Sequence, residues 1–201
     1  MLESLLALGY LLASGAIAVY SGSFFILIAL YLRTRRQPPT APPVPDDELL
    51  SVTVQLPIFN ERHVVERLLD AVGALDYPRD KLAVQVLDDS TDETTVLLRQ
   101  KVSEWRRKGL SIELIRRPDR AGFKAGALAY GLARITTDCV AVFDADFIPA
   151  PDFLRRTMPH FNADPAIALV QSRWSHLNGD YNLLTRAQVL AIDQHFAVEQ
   201  V

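Results

Sequence analysis

Cysteine is almost missing from this chain. Cys139 is the single one in 201 residues, so an intrachain disulfide and a cysteine-based zinc cluster are both excluded. It sits in the apolar run Cys139–Phe143, where a thiol serves as a small buried hydrophobe. An excess of charge of one sign is missing too. With 21 Lys and Arg against 24 Asp and Glu, the net charge of -3 supplies no global basic field, so nucleic acid is not an expected partner. The 9 glycines form neither a G-x-x-x-x-G-K-[ST] loop nor a G-x-G-x-x-G after a first strand, and nucleotide hydrolysis and dinucleotide redox chemistry lose their usual support.

Charge of any kind is absent from Ser4 to Leu32. A run of that length is enough to cross a bilayer with some tilt and predicts a transmembrane helix. A cleaved signal peptide would carry a basic start and a shorter apolar stretch, whereas this one opens Met1-Leu2-Glu3 and is followed by Arg33, Arg35 and Arg36. The positive-inside rule places the segment after the helix in the cytoplasm and the N-terminus outside. Residues 1–36 are thus read as a membrane helix with its basic flank. Residues 37–48 hold Pro38, Pro39, Pro42, Pro43 and Pro45, then Asp46-Asp47-Glu48, and are read as a stiff linker. Residues 49–201 form the remaining domain.

There, short β-rich runs alternate with longer helical ones. Strands are expected at Leu50–Leu56, Leu82–Leu87, Ile112–Ile115 and Cys139–Phe143, and helices at about Val64–Leu75, Glu93–Arg107 and Lys124–Arg134. In the first helix Val64, Val65, Leu68, Leu69, Val72 and Leu75 share a face. The alternation predicts an α/β, Rossmann-like fold with a mostly parallel sheet covered by helices. Ligands of such folds bind beyond the carboxyl ends of the strands.

Polar clusters fall at four such ends: Pro57 to Glu61, Asp88 to Asp92, Arg120 to Gly126, and Asp144-Ala145-Asp146. Three acidic groups converging on one crevice would repel one another, and a divalent cation with a diphosphate resolves that cost. Asp144 and Asp146 are candidate ligands of Mn2+ or Mg2+, which favour hard oxygen donors. Asp88 and Asp89 exceed what capping the next helix requires, and Asp89 suits the imino hydrogen of a uracil or guanine ring. Ser90, Thr91 or Asp92 is expected to cap that helix. Arg120 and Lys124 can meet phosphate oxygens, with Gly122 and Gly126 allowing close backbone approach.

Pro57-Ile58-Phe59-Asn60-Glu61, Leu87-Asp88-Asp89-Ser90-Thr91-Asp92, Lys124-Ala125-Gly126-Ala127-Leu128 and Phe143-Asp144-Ala145-Asp146-Phe147 resemble, in order and spacing, the family-two processive glycosyltransferases. Val170-Gln171-Ser172-Arg173-Trp174, Leu177-Asn178-Gly179 and Thr185-Arg186 look most like the cellulose-synthase-like A branch, the mannan and glucomannan synthases. The resemblance implies a GT-A nucleotide-sugar fold, a bound divalent cation and inversion at the anomeric carbon. It further implies that Asn60, Glu61 and Asp89 serve the nucleoside, Lys124 the nucleotide region, and Asp144 with Asp146 the diphosphate and metal; Pro57, Asp88 and Arg120 are further candidates for nucleotide-sugar binding. Donor candidates are GDP-mannose, GDP-glucose and UDP-glucose; the acceptor is a growing β-linked polysaccharide.

The sequence departs from the family pattern near its end. Displacement with inversion needs a base for the acceptor hydroxyl, and this carboxylate and the later Gln-x-x-Arg-Trp motif are expected beyond Val201. Gln171-Ser172-Arg173-Trp174 is shorter by one residue and comes too early to be that motif; Gln171 and Trp174 remain acceptor-side candidates, against a plain loop with a packed tryptophan. Leu183 to Val201 reads as an amphipathic helix, in which His195 and Glu199 lack a third partner for zinc. Two other functions fit the same donor chemistry: a transferase that glycosylates lipid, and a donor-binding piece that transfers nothing.

Overall fold

The computed structural model describes residues 2–34, 41–194 and 196. Arg35, Arg36, Pro38, Pro39, His195 and Glu199, on which sequence expectations fell, lie outside them. The chain forms two compact units, one of residues 1–39 with 171–201 and the other of Thr40–Val170. The sequence suggests one domain from residue 49 onward; among the described residues no strand follows Val170, and the next helix begins at Leu183.

The larger unit holds four parallel strands, β1 (Val52–Ile58), β2 (Leu82–Asp88), β3 (Ser111–Ile115) and β4 (Cys139–Val142), in the order β3-β2-β1-β4. Helices α2 (Val65–Gly73), α3 (Thr94–Arg107) and α4 (Phe123–Leu132) make the crossovers, and α5 (Phe153–Ala163) follows β4. Helix α1 (Leu2–Thr34) belongs to the other unit. Strands β1 to β3 step outward in one direction, and the chain then returns to lay β4 on the other side of β1. That reversal creates a switch point between β1 and β4, where an open α/β sheet leaves a crevice.

Parallel register decides which residues share a face. Val52, Val54 and Leu56 pair with Leu82, Val84 and Val86, all buried with Leu68, Leu69 and Val72 of α2 and Leu98 and Val102 of α3 in one apolar core. The opposite face is polar. Gln55 donates to Gln85 (3.0 Å) and Gln85 to Glu113 (3.0 Å), which satisfies amides that would otherwise be costly to bury. Helix α4 covers this ladder at Gly131, where an added Cβ would lie 2.6 Å from Nε2 of Gln55.

Strand β1 runs two residues further than expected, through Pro57. The ladder explains why a proline is tolerated. Carbonyls of Ser51 and Gln55 face β4, accepting from Cys139 and Phe143, so position 57 faces that side as well. Paired β4 residues end opposite Gln55, leaving no ladder bond for a proline to break. Cys139 lies partly buried in β4, and burial raises its thiol pKa, as befits an inert strand residue.

The expected linker is only partly a spacer. Pro45 carbonyl accepts the amides of Glu48 and Leu49 in a turn, and Leu49 is buried in the core. Lys81 donates to the carbonyls of Asp47 (2.6 Å) and Leu49 (2.7 Å), and Arg155 of α5 pairs with Asp46 and Asp76. Those two carboxylates raise the Arg155 pKa further above its ordinary value.

In the smaller unit, α1 has 33 residues. It is about 50 Å long at ~1.5 Å per residue, against a hydrocarbon core of ~30 Å. The most apolar 18-residue stretch of Ser4–Arg33 has a mean hydropathy of 2.0 and none of it is buried, so the helix is long and apolar enough to cross a membrane. Helix α6 (Leu183–Gln194) begins with a reciprocal cap, Asn182 Oδ1 accepting from the Thr185 amide (2.9 Å) while Thr185 Oγ1 accepts from the Asn182 amide (3.0 Å).

Candidate functional site

Two consecutive aspartates end β2, and two consecutive arginines follow β3. Because β2 and β3 pair in parallel, Leu87 opposite Ile115, the tandem pairs meet. Asp88 receives the Ser90 amide (2.9 Å), the Thr95 hydroxyl (2.8 Å) and Nη1 of Arg116 (2.5 Å). Its side chain has 0% exposure. Asp88, a nucleotide-binding candidate from sequence, is thus enclosed by the β2–α3 loop and Arg116 in this structure. Arg116 also donates to the Ser90 carbonyl (2.9 Å).

Asp89 is held differently. Nε of Arg117 donates to its Oδ1 (2.8 Å) and Nη2 to its Oδ2 (2.6 Å), a two-pronged contact that fixes the carboxylate plane. The side chains are 7% and 8% exposed, and the Asp89 carboxylate raises the guanidinium pKa. Arg120 stands 4.0 Å from the same carboxylate. Its guanidinium lies flat over the Phe59 ring, 3.3 Å from the centroid, with Phe123 at 5.1 Å. Arg116, Arg117 and Phe59 were not expected from sequence. The only signal for the arginines was the repeated pairing of like residues after adjacent strands.

Asn60 lies at φ 57°, a left-handed conformation that asparagine tolerates. It ties the β1 loop to the β2 loop: its amide donates to Ser90 Oγ (3.0 Å), and its Oδ1 accepts from the Thr91 amide (2.9 Å). The Asp89 amide meets the Ile58 carbonyl at 3.0 Å. Asn60 therefore joins two loops at the rim, while Glu61 is exposed and Pro57 half-buried beside it. Of the three expected capping residues, Asp92 meets the start of α3, its Oδ1 accepting from the Thr94 amide at 3.0 Å.

The loop into α4 turns left-handed twice, at Gly122 (φ 70°) and Phe123 (φ 49°). Gly126 makes room for protein: a Cβ there would lie 2.0 Å from the Ala121 carbonyl oxygen and 2.6 Å from Nη1 of Arg117. Close approach to a ligand, the expectation from sequence, is not what it allows. Lys124, the next residue after Phe123, carries its ammonium onto Oδ1 of Asp144. Asp144 is half-buried and Asp146 exposed.

The acidic residues are therefore largely neutralised by the chain's own cations, Asp88 by Arg116, Asp89 by Arg117 and Asp144 by Lys124. Mutual repulsion does not by itself demand a metal at Asp88 or Asp89. Asp144 and Asp146 do suit one. They flank a single turn after β4, and one of them already attracts a cationic group. Among the described residues no cluster of three or more His, Cys, Asp or Glu is arranged to hold an ion. Gln171 and Trp174 belong to the other unit, where the Trp174 ring packs edge-on against Phe196, centroids 5.5 Å apart.

Fold and site together define an α/β protein with ion-paired carboxylates gathered beyond the carboxyl ends of a parallel sheet. The chain belongs to glycosyl transferase family 2, whose model matches residues 53–195. It is 43% identical over 192 residues to glucomannan 4-beta-mannosyltransferase 2 of Arabidopsis thaliana, covering 90% of this chain and 36% of that protein. To glucomannan 4-beta-mannosyltransferase 1 of Oryza sativa subsp. japonica it is 46% identical over 169 residues, covering 79% and 32%. The chain thus spans about a third of the length of these relatives. Among solved structures, a mannosyltransferase from Pyrobaculum calidifontis in complex with GDP-Man and Mn2+ superposes with a TM-score of 0.63 at 34% identity, over 76% of this chain and 44% of that one. Residues 1–349 of S. aureus TarS in complex with UDP give 0.50 at 18% identity, over 63% and 40%, a likeness of fold alone. The fold is of the GT-A kind.

Proposed function

We propose that the crevice beyond β1, β2 and β4 binds a nucleotide sugar with a divalent cation, and that the intact protein transfers a hexose, by preference mannose from GDP-mannose, to a growing β-linked polysaccharide. The observation that carries this reading is the convergence of Asp89, Lys124 and Asp144 at one rim through Arg117 and the α4 loop. Support comes from the relatives, glucomannan 4-beta-mannosyltransferases in name, and from the related mannosyltransferase that holds GDP-Man and Mn2+.

Each residue has a part. Asp89 accepts a ring N–H of the base beside the flat Phe59–Arg120 stack, a surface suited to any nucleobase face. Asp144 and Asp146 would hold the cation, with Lys124 turned from Asp144 to the phosphate oxygens. The cation supplies Lewis-acid neutralisation of the departing nucleoside diphosphate. The base for the acceptor hydroxyl is sought in the part of the relatives that this chain does not span. Helix α1 crosses the bilayer, and the donor site lies on the cytoplasmic side, where the polysaccharide acceptor meets it.

A thermal-shift screen of the intact protein against GDP- and UDP-sugars, with and without Mn2+, tests this, since a ligand stabilises by its affinity for the folded state. Stabilisation that requires both sugar nucleotide and Mn2+ is expected. No shift with any donor would remove the reading.

A further inference from the structure

We infer that Arg117 is a positioning residue that locks the nucleoside end and the phosphate end of the donor crevice into one unit; the inference rests on the donor-site reading above. One guanidinium serves both ends. Toward the nucleoside side it grips Asp89 through Nε (2.8 Å) and Nη2 (2.6 Å). Toward the phosphate side Nη1 donates to the Ala121 carbonyl (2.5 Å) and Nη2 to the Phe123 carbonyl (2.8 Å). Ala121 and Phe123 flank Gly122, and Lys124 comes directly after.

That loop has reason to need a clamp. A left-handed φ of 49° at Phe123 is strained for a bulky side chain and persists only where surroundings impose it. The amide of Phe123 is held by the Arg120 carbonyl (3.0 Å), and the Gly126 amide by that of Gly122 (2.9 Å). Arg117 holds the two carbonyls in between. Its guanidinium hydrogens are directed at Asp89 and at the Ala121 and Phe123 carbonyls, so it acts through Asp89 and Lys124. Lysine could match its charge but has no planar fork to meet a carboxylate and two carbonyls together. Gly126 is the complementary feature, since any side chain there intrudes on Nη1.

The test separates the two ends with two kinds of probe, GDP or UDP with Mn2+ for the whole crevice and pyrophosphate with Mn2+ for the phosphate end alone. Calorimetric titration of the intact protein is compared with Asp89→Asn, Arg117→Lys and Gly126→Ala. Asp89→Asn is expected to weaken nucleoside diphosphate more than it weakens pyrophosphate. Arg117→Lys and Gly126→Ala are expected to weaken both probes, nucleoside diphosphate by about tenfold or more, the scale of a lost charged hydrogen bond. Melting temperature of each variant is measured alongside. Gly126→Ala alters no charge and crowds both the Ala121 carbonyl and Nη1, so the double loss in it reports disturbance of the Arg117–Ala121 contact even where Arg117→Lys folds poorly. Unchanged pyrophosphate affinity in folded Arg117→Lys or in Gly126→Ala overturns the inference and leaves the donor site standing. Failure of the unaltered protein to bind GDP or UDP overturns both.

Discussion

At the residue scale, the crevice is a set of carboxylates that differ in their freedom. Asp88 is enclosed, Asp89 is gripped but at the rim, Asp144 is shared with Lys124, and Asp146 is exposed. Asp146→Asn removes a hard ligand without touching the core, so Mn2+-dependent affinity for nucleoside diphosphate should fall by at least about tenfold, the scale on which even outer partners of a metal act. Circular dichroism should stay unchanged, and an undiminished Mn2+ dependence would take Asp146 out of the site. Lys124→Gln frees Asp144 of its internal cation. Mn2+ alone should then bind more tightly while nucleoside diphosphate binds less tightly, as titration of each separately would show. If both affinities move the same way, the exchange of partners is wrong.

At the scale of elements, helices α2 and α3 are fixed by a close contact. A Cβ on Gly73 would lie 2.3 Å from the Trp105 ring, and that ring is pinned by its N–H to Asp70 Oδ1 (3.1 Å), with Lys101 on the same carboxylate. Gly73→Ala should therefore destabilise by ~1–3 kcal/mol, the usual cost of overpacking, read as a lower urea midpoint. A second element-scale device joins the starts of β1 and β4. Asp138 accepts from the Ser51 amide (2.9 Å) and hydroxyl (2.6 Å), and these bonds hold its carboxyl below the usual carboxylate range. The folded state thus releases this proton more readily than the unfolded chain, whose aspartate titrates near ~4. The stabilisation is present above that pH and is lost as pH falls through the lowered value. Asp138→Asn should flatten the acid limb of a stability-against-pH curve slightly, the group being exposed; an identical limb would mean the staple contributes nothing.

Helix α5 was not foreseen, although Leu154, Met158 and Phe161 carry the spacing of one helical face. Pro159 inside it and Pro151 just before it read as breakers. Tertiary burial of Leu154 and Met158 outweighed the lost backbone bond. The other helices and all four strands were legible, because apolar period and flanking turn residues agree there. Their ends moved by one or two residues, as at β1, where a proline was accommodated by the end of β4.

At the scale of the whole molecule, one helix suited to a bilayer accompanies a glycosyl transferase family 2 region, in a chain that spans about a third of the length of its relatives. If α1 is a membrane span, the protein should stay in the membrane pellet after alkaline carbonate extraction, and removal of residues 2–34 should release it. Extraction of the unaltered protein would make α1 something else.

The sequence by itself determined the order of strands and helices, the apolar N-terminal run, and which four strand ends hold polar groups, because periodicity and turn chemistry are local. It also placed Asp89, Lys124 and Asp144 at the rim. Only the tertiary structure decided that Asp88 lies beneath the crevice and that Arg116 and Arg117 neutralise the paired aspartates. These contacts join residues 28 apart. Parallel register and depth of burial set them, and neither is written in the spacing of one chain segment.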